Sequence, residues 1–230
     1  MRHSCKRRIQ MVDLIKVKRA LWAAPPLASL LSGAGSFDVV SRLILASASP
    51  RRSQLLHGIG LDFEVIPSNV VEEEVNGADP ADLVMRLAYA KAVDVAGGID
   101  HGLVIGADTI VVADGHVLGK PVDRDDAIRM LHKLSGKEHQ VYSGVSVIDA
   151  GSGNSATEYE MTNVKFRTVS DEKIARYVDT GEPMGKAGAY AIQGIGGLLV
   201  ESIRGDYNCV VGLPLGRLAL MLESFGYVVF

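Results

Sequence analysis

The sequence predicts an α/β fold built on a mixed sheet, and three observations carry the prediction. Short apolar runs recur along the chain and read as buried strands. Some are followed by helices with clear start signals, which makes βα units. Others are joined by turns too short for a crossover, which makes hairpins. A chain with both kinds of connection pairs some strands parallel and others antiparallel.

Leu43-Ile44-Leu45-Ala46 is the first apolar run. Ser49 then offers an N-cap and Pro50 fits the first helical position, so a helix runs through Leu56 and stops at Gly58 or Gly60. Phe63 to Ile66 reads as a second strand, and Glu72-Glu73-Glu74 lies in a polar stretch. Asp79-Pro80 opens the clearest helix, whose stripe Leu83, Val84, Leu87, Ala88 and Ala90 runs to Gly97-Gly98. Leu103 to Ile105 is a strand leading into Gly106-Ala107-Asp108-Thr109. Ile110 to Val112, a turn at Asp114-Gly115 and Val117-Leu118 form a hairpin closed by Gly119-Lys120-Pro121. Asp123 caps a helix with Ile128, Leu131 and Leu134 on one face. Val141 to Ile148 and Glu158 to Arg167 alternate as strands around a loop at 151–154. Ser170 starts a helix through Tyr177, Leu198 to Ile203 is a strand, and Leu215 to Phe225 is the last helix.

With 47% hydrophobic and 22% charged residues, the 230-residue chain has ordinary globular composition, enough for one good core or two small lobes. Its net charge of −3 argues against a nucleic-acid binder with a basic surface. The charge is uneven. Residues 1–42 carry eight basic and two acidic groups, leaving 16 basic against 25 acidic in the rest. An acidic body that binds a polyanion must gather its cations locally or use a divalent metal. Residues 1–41 read as an extension before a domain at 42–230. They read as a poorly ordered extension of a cytoplasmic protein, the alternative being an organellar transit peptide, which their Arg-rich, acid-poor start resembles. Cys5 and Cys209 show no metal-ligand spacing and imply no disulfide framework. No run of 18 apolar residues predicts a membrane span.

Four segments can carry chemistry. At Ser47–Arg52 a helix N-terminus attracts phosphate, Ser47 and Ser49 add hydroxyls, and Arg51 and Arg52 add planar forks. The alternative there is a capped surface helix with two solvated arginines. Asp108 follows a buried strand among small residues, where a carboxylate is either a turn cap or a group that holds a cation or accepts a proton. Lys120 is presented by Pro121 in extended backbone. Lys186-Ala187-Gly188-Ala189-Tyr190-Ala191-Ile192-Gln193-Gly194 offers a lysine, small residues for close backbone approach, and a glutamine able to read a base edge. Glu72, Glu73 and Glu74 read as a solvated face, with one of them able to join Asp108 at a metal. Gly136-Lys137 fails as a P-loop, since Leu131 and Glu138 stand at required Gly and Ser/Thr positions. Gly33-Ala34-Gly35 lacks the third glycine of a dinucleotide fingerprint, and the histidines have no zinc spacing.

These segments, followed by Val210-Val211-Gly212-Leu213-Pro214, occur in an order that resembles the Maf family of nucleotide pyrophosphatases over about residues 42–230. The resemblance implies an inosine-triphosphatase-like (Maf/Ham1) fold: a mixed twisted sheet with flanking helices, in two lobes around a cleft. It implies hydrolysis of nucleoside triphosphates to monophosphate and pyrophosphate, a divalent cation (Mg²⁺ or Mn²⁺), and a homodimer acting without nucleic acid or membrane. It makes Asp108 the proton acceptor and Lys120 its catalytic partner. Ser49, Arg51, Arg52, Thr109, Lys186 and Gln193 become substrate ligands, and Glu72 joins Asp108 at the metal.

Arg51, Thr109 and Gln193 resemble members that act on dTTP and UTP. Members acting on 7-methyl-GTP tend to carry tryptophan, glutamine and glutamate there. One departure is Gly185, where many relatives have aspartate. It leaves open a weakly catalytic nucleotide-binding regulator of cell division.

Overall fold

The computed structural model describes residues 42–71 and 78–229. The expectations for residues 1–41, for Cys5 and for Glu72–Glu74 lie outside these residues.

The mixed sheet is present. It has seven strands in the order β2-β1-β3-β5-β6-β7, with β4 paired to β3. β1 (Leu43–Leu45) lies parallel to β2 (Glu64–Val65) and to β3 (Leu103–Ala113). The other pairings are antiparallel: β3 with β4 (His116–Leu118) and β5 (Glu138–Asp149), β5 with β6 (Ser155–Phe166), and β6 with β7 (Val200–Arg204). The helices are α1 (Pro50–Gly58), α2 (Pro80–Ala96), α3 (Arg124–Leu134), α4 (Asp171–Asp179), α5 (Tyr207–Val211) and α6 (Leu215–Ser224). The expected caps form at α2, where Asp79 accepts from Ala81 and Asp82 N–H, and at α3, where Asp123 accepts from Asp126 N–H. Ser49 holds the N-cap position of α1 without a side-chain capping bond. No described helix is long and apolar enough to cross a membrane.

One boundary differs in a way that matters. Gly106 reads as a break after a short strand, yet β3 runs unbroken from Leu103 to Ala113, so Asp108 lies mid-strand rather than in a turn. The glycine serves close packing. A methyl group on Gly106 would stand 2.2 Å from Ala88 O, and one on Gly144 in β5 would stand 2.3 Å from Val84 O. Helix α2 therefore lies directly on β3 and β5.

Alternation along β3 sorts its side chains between two faces. On one face Leu103, Ile105 and Ala107 join a core with Leu43, Leu56, Val145 and Leu218. Val111 and Ala113 join a second core with Leu131, Val164, Phe166 and Tyr190. Thr109 falls between them. On the opposite face Val104 packs with Ala92 and Val95, while Ile110 and Val112 pack with Leu83 and Val84. Asp108 falls at that seam. Two cores meeting along one strand are the physical content of the expected two lobes.

Candidate active site

The seam opens at a gap in the sheet. On one edge of β3, β1 covers residues 103–105 and β4 covers residues 111–113. Between those pairings the edge carrying Asp108 and Thr109 faces a cleft of about 390 Å³, a size typical of small-molecule sites. All eight described residues expected at the site line this one cleft: Ser49, Arg51, Arg52, Asp108, Thr109, Lys120, Lys186 and Gln193. Glu72 lies outside the described residues.

Three segments supply the walls. The β1–α1 turn brings Ser49 and Arg51 over the gap, with the Ser49 N–H donating to Ser47 Oγ at 3.2 Å. The end of β4 brings Lys120. The segment from Lys186 to Gln193 folds against it, and Gly188 N–H donates to Gly119 O at 3.0 Å. Gly188 has φ +68 and sits on Val111, where a methyl group would stand 2.9 Å from Val111 Cγ2. Only glycine combines that backbone with that contact. Tyr190 anchors the segment from below. Its hydroxyl bonds His139 Nε2 at 2.9 Å, and both rings meet Phe166 edge-on. Burial pushes His139 down to about 4, so the imidazole is neutral at physiological pH.

Arg51 and Arg52 part company here. Arg52 is 9% exposed and donates to Gly212 O at 2.8 Å, Ser47 Oγ at 3.1 Å and Thr109 Oγ1 at 3.3 Å. It cross-links the β1–α1 turn, β3 and the α5–α6 turn. Thr109 Oγ1 and Ser143 Oγ share a hydrogen bond of 2.8 Å, and Ser143 donates to Cys209 O at 2.8 Å. This network accounts for the Val210–Pro214 motif, whose Gly212 supplies the carbonyl at φ +127. Arg51, half-buried, is held below the ordinary arginine value by burial. Lys186 is lowered first by burial and then by the charge of Arg51, with Glu182 opposing. Two partly desolvated cations that repel each other make a site that gains by admitting an anion.

Asp108 is 4% exposed and its Oδ1 accepts from Lys91 Nζ at 2.6 Å. Lys91 is a functional candidate that the sequence reading missed. The signal was present: Lys91 falls on the apolar stripe of α2, between Ala88 and Ala92, where a lysine has no reason to be unless paired. Among the described residues no group of three or more His, Cys, Asp or Glu side chains could cage a metal. The Asp108 carboxylate offers the oxygen donor type that hard divalent cations take, with one of its oxygens already bonded to Lys91. Gly185 lines the cleft with φ +72 and open space where a side chain would be.

Comparison with known proteins follows the same span. A family model described as Maf-like protein matches residues 42–225. The chain is 50% identical over 188 residues to a protein of Pelotomaculum thermopropionicum named dTTP/UTP pyrophosphatase, covering 82% of this chain and 98% of that one. It is 52% identical over 187 residues to a protein of the same name from Dictyoglomus turgidum, covering 80% and 96%. Among solved structures, the Staphylococcus aureus Ham1 protein aligns with 16% identity and a TM-score of 0.38, over 54% of this chain and 71% of that one.

Proposed function

The chain belongs to the Maf-like protein family, and from that premise we propose that its cleft hydrolyses nucleoside triphosphates to monophosphate and pyrophosphate, with dTTP and UTP favoured. The observation that carries the reading is the pairing of Arg51 and Lys186. They share one cleft with Lys120 and with the buried carboxylate of Asp108, and burial lowers the pKa of both cations.

The triphosphate lies along the cations. Arg51 offers a planar fork, and the start of α1 beside Ser49 offers backbone N–H groups. Arg52 acts by holding Thr109 and the α1 turn in place. Asp108, oriented by Lys91, accepts the proton of a water that attacks the α-phosphorus. The bond from that phosphorus to the bridging oxygen breaks, and pyrophosphate leaves with its charge met by Lys120 and Lys186. Asp108, with Glu72 outside the described residues, would hold a divalent cation, Mg²⁺ or Mn²⁺. When bound, such an ion neutralises and aligns phosphate oxygens. Gln193 presents a donor and an acceptor to a pyrimidine edge. We extend the proposal to a cytoplasmic homodimer that works on free nucleotides, which fits the acidic body.

The test is a panel of standard and modified triphosphates with pyrophosphate detection, under Mg²⁺ and under Mn²⁺. Rapid release from dTTP and UTP is expected, with purine triphosphates at least about tenfold slower. Gln193→Glu should reverse part of that preference, because a carboxylate suits donor-rich purine edges. Gly185, in place of the aspartate common in relatives, favours a second reading as a weakly catalytic nucleotide sensor. Tight binding of dTTP with no pyrophosphate released under either metal would select that reading.

A further inference from the structure

Lys186 and Gln193 end one segment of the cleft wall, and Glu182, outside that lining, bonds Lys186 at one end and the turn just past Gln193, at Ile195 and Gly196, at the other. Its carboxylate takes three donors. Gly196 N–H at 2.8 Å and the Tyr177 hydroxyl at 3.0 Å reach Oε1, and Ile195 N–H at 3.1 Å reaches Oε2. Its backbone carbonyl accepts from Lys186 Nζ. The Tyr177 hydroxyl in turn accepts from Ala191 N–H at 3.2 Å, so α4 joins the same segment.

The fit around the carboxylate is close. A methyl group on Gly194 would stand 2.6 Å from Glu182 Oε2, and one on Gly196 would stand 2.4 Å from the Tyr177 hydroxyl. Burial alone would raise the Glu182 carboxyl. The N–H groups of Gly196 and Ile195, the Tyr177 hydroxyl and the Lys186 charge outweigh it and hold the group below the ordinary carboxylate range. At neutral pH the clamp is therefore charged, and its bonds are of the stronger, charge-assisted kind.

Resting on the function proposed above, we propose that Glu182 is a positioning residue for substrate selection, which clamps the turn after Gln193 to the support of Lys186. The base-reading amide and the phosphate-binding ammonium are then held at one spacing. A nucleotide whose base misaligns with Gln193 also loses the Lys186 contact. Selection made this way depends on the stiffness of the clamp as well as on the identity of Gln193.

The experiment compares kcat and KM for dTTP and dGTP in the wild type, Glu182→Ala, Glu182→Gln and Tyr177→Phe, with folding followed by circular dichroism. Glu182→Ala should reduce the dTTP preference about tenfold, mainly through a higher KM for dTTP. Glu182→Gln keeps an acceptor oxygen and should recover most of the preference. Tyr177→Phe should fall between the two. An unchanged preference in folded Glu182→Ala, or an equal loss for both nucleotides, overturns the proposal. Should Glu182→Ala not fold, unchanged preference in both other variants overturns it. A wild type that does not favour dTTP sinks the functional reading itself, whereas a wild-type preference retained by the variants sinks only the clamp.

Discussion

Replacing Asp108 by asparagine is expected to lower kcat for dTTP about a thousandfold, the usual scale for loss of a positioned base. KM for dTTP, read at several Mg²⁺ concentrations, separates loss of the base, which lowers kcat alone, from loss of the cation that Asp108 would hold, which raises KM as well. The amide keeps the size of the side chain, and β3 keeps its pairing with β5 through Asp108 and Gly144. What is lost is the charge that meets Lys91 at 2.6 Å and the capacity to take a proton. Steady-state kinetics on protein shown folded by circular dichroism gives the answer. Turnover near the wild-type value would remove Asp108 from the reaction.

Replacing Lys91 by methionine should affect both stability and rate. The lysine side chain is 10% exposed and its partner 6%, so the pair is buried. Removing one member leaves an uncompensated buried charge, which typically costs about 3 kcal/mol or more. Methionine matches the lysine stem in length, so the cost isolates the charge rather than a cavity. Urea unfolding should show this loss. The double variant Lys91→Met with Asp108→Asn should regain part of it, because the orphaned charge is gone. Activity should stay low in both, since the carboxylate has lost its orientation in one and is absent in the other. A Lys91→Met protein as stable and active as the wild type would mean that the ion pair neither supports the fold nor sets the site.

How far the sequence alone reaches can be seen at particular residues. The caps at Asp79 and Asp123, the apolar stripe of α2 and the hairpin at Asp114-Gly115 are local signals, and local interactions produce those features. Gly106 misled because a glycine that admits a helix backbone looks the same in sequence as a glycine that ends a strand. The contact from Ala88 that decides between them lies far along the chain. The short helix Tyr207–Val211 has too few turns to show a period. The strand expected from Leu198 begins at Val200 because Gly194–Leu199 forms a 3₁₀ turn on the Glu182 clamp.

At the site, residue types told which groups suit a triphosphate, and all those described line one cleft. The division of labour between Arg51 and Arg52 was not legible. Adjacent arginines on a helix point to different surroundings, and only the fold shows that Arg52 is committed to Gly212, Ser47 and Thr109. Lys91 was marked as paired by its place on the apolar stripe, but its partner Asp108 was not, and the bonds of Glu182 to Ile195 and Gly196 left no spacing to read.

Hydrolysis of dTTP in heavy-oxygen water, with products followed by phosphorus NMR, tests the proposed chemistry most directly. Water attack at the α-phosphorus should place the label in dTMP and leave the pyrophosphate unlabelled. Label in the pyrophosphate, or release of dTDP with orthophosphate, would mean that the cleft cuts a different bond and that the roles given to Asp108, Lys120 and Lys186 are wrong.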